Sequence, residues 1–385
     1  MIPYGRQQID AADVEAVVSA LRSDFLTQGP LVPAFEGAVA AYCGAKQAVA
    51  VSSATSALHL ACAALGVGKG DWVWTTPITF VASANCALYC GGRVDFVDIN
   101  PRTFNLCVER LADKLKLARA KGTLPKVVIP VHLCGQSCDM AGLHALSLEY
   151  GFKIIEDASH AIGGKYKGVP VGRGQYSDIT IFSFHPVKII TTGEGGMALT
   201  NDPKLAGRMA RLRSHGITRD EKDMQQRPDG PWYYEQIELG FNYRLTELQA
   251  ALGLSQIRHL DEFVAKRHAL AAVYNNLLQD TSLGLPWQHP DCYSGMHLYV
   301  VRVPQAAGSS ARLETFRRLR RAEIGVNLHY IPIYRQPYYR QFGYSPQDFP
   351  EAERYYAEAI TLPLFPGLTE VDQRRVVEAL RESRT

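Results

Sequence analysis

The chain has 385 residues, 46% hydrophobic and 21% charged, enough to bury a large core and to divide into two domains. A formal net charge of +3, with no block of like charge, gives no electrostatic reason for a nucleic-acid partner. The opening Met1-Ile-Pro-Tyr-Gly-Arg6 lacks a signal-peptide layout, and no apolar run reaches the roughly 18–20 residues of a membrane span, so a cytoplasmic protein is expected.

In chain order, an acidic cap and helical apolar spacing predict a helix over residues 10–23. Thr27-Gln-Gly-Pro30 is a turn, and Pro33–Tyr42 reads as a second short helix. Short apolar strands are then expected at Ala48–Ser52, Trp72–Thr76, Arg93–Val97, Lys126–Val131, Lys153–Asp157 and Ile179–Ser183. Helices at Ala57–Leu65, stopped by Gly66, at Phe80–Tyr89 and at Met140–Tyr150 alternate with them. This alternation predicts an α/β fold with a largely parallel sheet covered on both faces, whose ligands gather at the carboxyl ends of its strands. Beyond about residue 255 the pattern changes. Helix Leu260–Leu278, strand His297–Val303, helix Leu313–Ala322, the run Val326–Ile331 and a closing helix from Thr369 to about Arg381 read as a smaller α+β domain. The expected division is a large domain over residues 1–255 and a small one over 256–385.

Eight scattered cysteines in a chain this long read as reduced thiols. Cys134 and Cys138 form a C-x3-C pair near His132, but no second cluster completes four ligands, so no metal site is expected.

Three runs could carry chemistry. Lys188 follows the strand ending at Ser183 and leads into the Gly-rich Thr191-Thr-Gly-Glu-Gly-Gly196. Desolvation there would lower its pKa and suit it to form an imine, although a lysine after a strand is more often a solvated surface group. Asp157, ending the strand Lys153–Asp157, could keep a pyridinium nitrogen protonated, or could simply cap the next helix. Ser52-Ser-Ala-Thr-Ser-Ala-Leu58 puts small residues and hydroxyls at a helix start, an anion site or an ordinary cap. No G-x-G-x-x-G or G-x4-G-K-[ST] motif accompanies it, which argues against dinucleotide and P-loop readings. Phe80 could stack on a cofactor ring or pack in the core. Together these supply a phosphate cradle, an acid for a ring nitrogen and an imine-forming lysine, in that order, on successive strands of one sheet.

Other candidates keep two readings each. His185 beside Pro186, His215 and His329 could touch substrate or only shape turns. Arg244 could meet a diphosphate or pair with Glu247. Trp72 and Trp74 read as core, and Tyr330, Tyr334, Tyr338 and Tyr339 as an ordinary packed surface rather than a base-stacking platform.

The run Phe182–Gly196, with Glu156-Asp-Ala-Ser-His160 and Gly240-Phe-Asn-Tyr-Arg244, resembles the DegT/DnrJ/EryC1/StrS sugar aminotransferases, and the resemblance extends from Tyr4 to Pro366. Ser53–Leu58 and Asn327–Tyr334 are most similar to the branch of that family serving pseudaminic-acid biosynthesis. The resemblance implies a fold-type I, pyridoxal-phosphate-dependent (PLP/PMP) transferase with a mainly parallel seven-stranded sheet between helices. It also implies a homodimer with shared active sites. In it Lys188 would carry the Schiff base and shuttle the proton, Asp157 would pair with the pyridinium nitrogen, and His160 would contact the ring 3-hydroxyl. Ala54, Thr55 and Ser183 would bind the 5′-phosphate or the substrate beside it, Phe80 would lie by the ring, and Asn242 would reach in from the partner. Tyr4, Asp24, Phe25, Leu26, Thr27, His185, Asn327, Leu328, His329 and Tyr330 would line the sugar-nucleotide site. The substrates implied are L-glutamate and a UDP-linked 4-keto-6-deoxy-N-acetyl sugar. Two alternatives stand beside this: another nucleotide 4-keto sugar (a UDP-4-keto-pentose or a dTDP-sugar), and a non-catalytic PLP-binding regulator. Lys188 itself argues against the dehydratase branch of the family, which has histidine there.

Overall fold

The computed structural model describes residues 1–304 and 310–381. Helix α1 (Ala11–Leu21) starts in a capping box, with Asp10 accepting from the Asp13 N–H and Asp13 returning the bond. Helix α2 (Leu31–Cys43) has no such cap of its own. Its first N–H groups, from Leu31 and Val32, donate instead to the fully buried Glu247 carboxylate, 216 and 215 residues away along the chain. Glu247 is therefore committed to α2, and the expected alternative of an Arg244–Glu247 pair does not form; Arg244 donates to Ser214 Oγ at 3.1 Å.

Seven strands form the main sheet: β1 (Gln47–Val51), β2 (Trp72–Thr75), β3 (Arg93–Phe96), β4 (Val127–Ile129), β5 (Lys153–Asp157), β6 (Ile179–Ser183) and β7 (Gly196–Thr200), in the order β1-β7-β6-β5-β4-β2-β3. All run parallel except β7, which is antiparallel to both β6 and β1. Strands β4, β6 and β7 are buried throughout, as a sheet covered on both faces requires.

The period-2 alternation of strands sorts side chains between two layers. Val73, Ile155 and Ile181 pack with α3 (Ala54–Ala64), α4 (Ala82–Tyr89) and, further along the chain, Pro203–Leu212. On the other face Trp74, Val128 and Ile154 meet α5 (Val108–Lys121) and α6 (Met140–Tyr150), while Ala50, Phe182 and Met197 meet α2 and residues of Glu247–Gln256. A separate core joins Tyr274, Tyr299, Val301, Leu319, Ile360 and Val376 with Ile2. It is built around the antiparallel pair Tyr299–Arg302 and Ala359–Leu362. The N-terminus is stitched onto this core, with Ile2 N–H donating to Glu323 O and Leu364 N–H to Tyr4 O. Among the described residues no helix is long and apolar enough to cross a membrane.

Several boundaries differ from the sequence reading. Helix α3 begins at Ala54, not Ala57, because Ser53 caps it, its hydroxyl accepting from Ser56 N–H. Helix α4 begins at Ala82, leaving Phe80 in the loop before it. Val326–Ile331 forms no strand. Only Asn327 bridges to Thr361, its side chain already accepts from Leu328 N–H, and Pro332 has no N–H to extend a ladder. The cradle and lysine strands, β1 and β6, are not neighbours, since β7 lies between them.

Candidate active site

The carboxyl edge of β1, β5 and β6 opens onto a cavity of about 650 Å³. Register puts the three candidate runs there together. Ser183 pairs with Gly196 and Gly196 with Val51, so the loops leaving β6 and β1 emerge side by side, while Asp157 pairs with Ile181 next to them.

At the start of α3 the N–H groups of Ala54 and Thr55 have no acceptor among the described residues, and both residues line the cavity. Gly196 packs against this turn so closely that a Cβ there would lie 2.4 Å from Ala54 N. Only glycine lets β7 support the helix start from beneath.

Asp157 is buried. Its Oδ2 accepts from Ser83 Oγ at 2.7 Å, and its Oδ1 from Ser159 Oγ at 2.6 Å and Ser159 N–H at 3.2 Å. Lys188 is half-buried on the cavity wall, in a turn closed by its N–H donating to His185 O. Loss of solvation pulls its ammonium down to about 8, opposed by the negative charge of Asp157. Its Nζ has no acceptor among the described residues, the state of an amine free to react.

Three imidazoles surround Lys188, and each is held neutral chiefly by burial and further by the lysine's charge: His329 down to about 3, His160 and His297 well below the usual value. His160 Nδ1 accepts from Cys134 N–H at 3.3 Å, which assigns its proton to Nε2, 3.1 Å from Tyr330 Oη. Nδ1 of His329 lies 2.8 Å from Thr361 Oγ1.

Of the sequence candidates, Tyr4, Ala54, Thr55, Phe80, Asp157, His160, Ser183, His185, Lys188, Asn327, Leu328, His329 and Tyr330 all line this one cavity. His185 sits exposed at its rim, 3.9 Å from Glu194. Asp24, Phe25, Leu26, Thr27 and Asn242 do not line it within one chain. Leu26 O accepts from Glu247 N–H and Thr27 bridges to Thr246, while Asn242 bridges to Ser214. His215 and Arg244 also lie outside the lining. Sequence reading missed Glu194, Ser159, His297 and, behind Asp157, Ser83. Glu194 lay inside the quoted lysine run and could have been named. His297 was visible only as the polar lead of an apolar strand.

The model of the DegT/DnrJ/EryC1/StrS aminotransferase family matches residues 7–381. The chain belongs to this family. Spore coat polysaccharide biosynthesis protein SpsC of Bacillus subtilis (strain 168) is 38% identical over 384 residues, 99% of this chain and 96% of that one. Helicobacter pylori PseC, an aminotransferase involved in the biosynthesis of pseudoaminic acid, superposes with a TM-score of 0.89 at 30% identity, covering 99% of this chain and 98% of that one. Spr1654 from Streptococcus pneumoniae in its PMP form gives a TM-score of 0.89 at 29% identity, over 99% and 98% of the two chains. The protein is thus a PLP-dependent sugar aminotransferase of the DegT/DnrJ/EryC1/StrS family with the fold-type I architecture. Its cavity fits the cofactor on its own evidence: open N–H groups at a helix start for a phosphate, a buried carboxylate for a ring nitrogen, and an unpaired amine of lowered pKa.

Proposed function

We propose that this aminotransferase moves the amino group of L-glutamate to C4 of a UDP-linked 4-keto-6-deoxy-N-acetyl-hexose, giving UDP-4-amino-4,6-dideoxy-N-acetyl-β-L-altrosamine, a step of pseudaminic-acid biosynthesis in the cytoplasm. The observation that carries the chemistry is Lys188, its Nζ without an acceptor among the described residues, on the cavity wall with the Asp157 charge acting on it. Full-length likeness to PseC supports the choice of sugar.

When bound, pyridoxal phosphate supplies an electron sink that lets an amino group and a proton be exchanged between two carbon skeletons. The N–H groups of Ala54 and Thr55, with Ser183, would hold its phosphate. Asp157, fixed by Ser83 and Ser159, would pair with the ring nitrogen, and His160 would stand by the 3-hydroxyl. Phe80 would stack beside the ring. Lys188 Nζ would move a proton from the donor's α-carbon to the cofactor in the first half-reaction and from the cofactor to sugar C4 in the second, acting in turn as base and acid. Tyr4, His185 and Asn327–Tyr330 would surround the sugar nucleotide, in a cavity whose volume is within the ordinary range of small-molecule sites.

The reading includes a homodimer in which Asp24–Thr27 and Asn242 of one chain complete the other's site. Phe25 and Leu26, 52% and 51% exposed and outside their own cavity, support that arrangement. It also divides the chain at residues 255 and 256, before the long helix that leads into the second core.

Glutamate-dependent amination of a panel of nucleotide keto sugars tests the substrate. Turnover of the UDP-linked 4-keto-6-deoxy-N-acetyl sugar is expected; turnover of only another panel member would overturn the assignment. A second reading, amination of a different nucleotide 4-keto sugar, is favoured by the higher identity to SpsC, named for spore-coat polysaccharide.

A further inference from the structure

Behind the cavity, on the opposite face of β5, lies a buried polar cluster that the chemistry above does not use. Parallel strands β4 and β5 pair at Val127 with Lys153 and Val128 with Ile154. The ladder is then interrupted by Pro130, which has no N–H to give. It resumes through two bonds only: Asp157 N–H to Pro130 O at 2.9 Å, and His132 N–H to Asp157 O at 3.1 Å. His132, with no exposed surface, uses its ring as well. Cys138 N–H donates to Nδ1 at 3.1 Å, which assigns the proton to Nε2, and Nε2 donates to Glu156 Oε2 at 2.8 Å. The other oxygen of Glu156 accepts from Ser177 and Thr180.

His132 thus grips both residues of one dipeptide, Asp157 by its main chain and Glu156 by its side chain. Successive strand residues point to opposite faces, so fixing the Glu156 carboxylate behind the sheet fixes the angle at which Asp157 enters the cavity in front. Burial alone would push the Glu156 carboxyl up. The bonds from His132, Ser177 and Thr180 outweigh that and hold it low, so the grip is made on a carboxylate. A buried carboxylate needs such partners. A simple ladder bond after Pro130 would not need a histidine ring.

We propose that His132 is a positioning residue for transamination, clamping Glu156-Asp157 so that the Asp157 carboxylate is held at the depth and angle that the cofactor ring requires. This rests on the reading of Asp157 as the partner of the ring nitrogen.

The test uses the full-length protein, pyridoxal phosphate titration, the absorption band of the cofactor-loaded protein across pH, and the glutamate half-reaction, so no sugar need be known. Asp157→Asn sets the scale. If it leaves band and affinity unchanged, the Asp157 role fails and the clamp with it. His132→Gln keeps a donor near the Nε2 position and is expected to behave like wild type. His132→Asn can serve Cys138 but is too short to reach Glu156. It is expected to shift the band and to slow the half-reaction by about 10²-fold, the scale of a small misplacement of a reacting group, with KM for glutamate unchanged. Ser177→Ala, a milder change, is expected to weaken cofactor affinity in the same direction and gives a readout should His132→Asn not fold. The proposal is overturned if His132→Gln and His132→Asn behave alike, if a folded His132→Asn keeps the wild-type band and affinity, or if Ser177→Ala leaves affinity untouched.

Discussion

Tyr330 Oη lies 3.1 Å from His160 Nε2, joining the segment after Asn327 to the loop after β5 across the cavity. Because His160 Nδ1 is already an acceptor for Cys134 N–H, the histidine is the donor of this bond. The Tyr330 hydroxyl hydrogen is then left for a ligand. Tyr330→Phe strands a buried N–H, a cost of about 1–3 kcal/mol. The unfolding temperature of the variant is expected to fall accordingly, with KM for the sugar substrate raised; unchanged values of both would show that the bond does not form.

Lys188→Ala is expected to abolish turnover while leaving the fold intact, since the Lys188 side chain makes no hydrogen bond to any described residue. Circular dichroism with activity measurement separates the two effects. Residual turnover near wild type would remove Lys188 from the chemistry.

The pH dependence follows from the lysine and the histidines. Lys188 has a folded pKa of about 8 against an ordinary 10.5, so its unprotonated fraction grows as pH rises through 8. Capture of pyridoxal phosphate by the cofactor-free protein is therefore expected to accelerate with pH and level off above about 8. Between 8 and 10.5 the unfolded chain binds more protons than the native one, so this group's contribution to stability rises with pH there. His160, His297 and His329 are depressed too. They stay neutral in the fold and take up protons only on unfolding, so stability falls as pH drops below about 6.5. Stopped-flow capture rates and urea unfolding across pH check both limbs.

Ser83→Ala removes the hydroxyl that donates to Asp157 Oδ2 at 2.7 Å. A hydrogen bond to a charged group is worth about 1.5–3 kcal/mol, and cofactor affinity is expected to weaken by a comparable amount. Equilibrium titration measures it. Gly196→Ala forces a methyl to within 2.4 Å of Ala54 N, and overpacking of this kind costs typically 1–3 kcal/mol. Loss of phosphate-dependent cofactor binding ahead of global unfolding is the expected result.

Much of this was written in local sequence. The β–α alternation, the turn at Ser53 and the carboxylate at the end of Lys153–Asp157 each follow from short-range patterns, and together they marked the cavity. What stayed hidden depends on distant partners. Strand β7 reads as a tail of the Gly-rich run, and only tertiary pairing shows it inserted antiparallel between β1 and β6. Ser83 and Glu247 look like ordinary helix residues until Asp157 and the start of α2 are folded against them. Val326–Ile331 has strand-like composition, yet apolar residues report burial, not pairing.

Borohydride reduction of the cofactor-loaded protein, followed by peptide mapping, examines the reactive centre most directly. The label is expected on Lys188 alone. A label on any other lysine, or none, would contradict the chemistry assigned to this cavity.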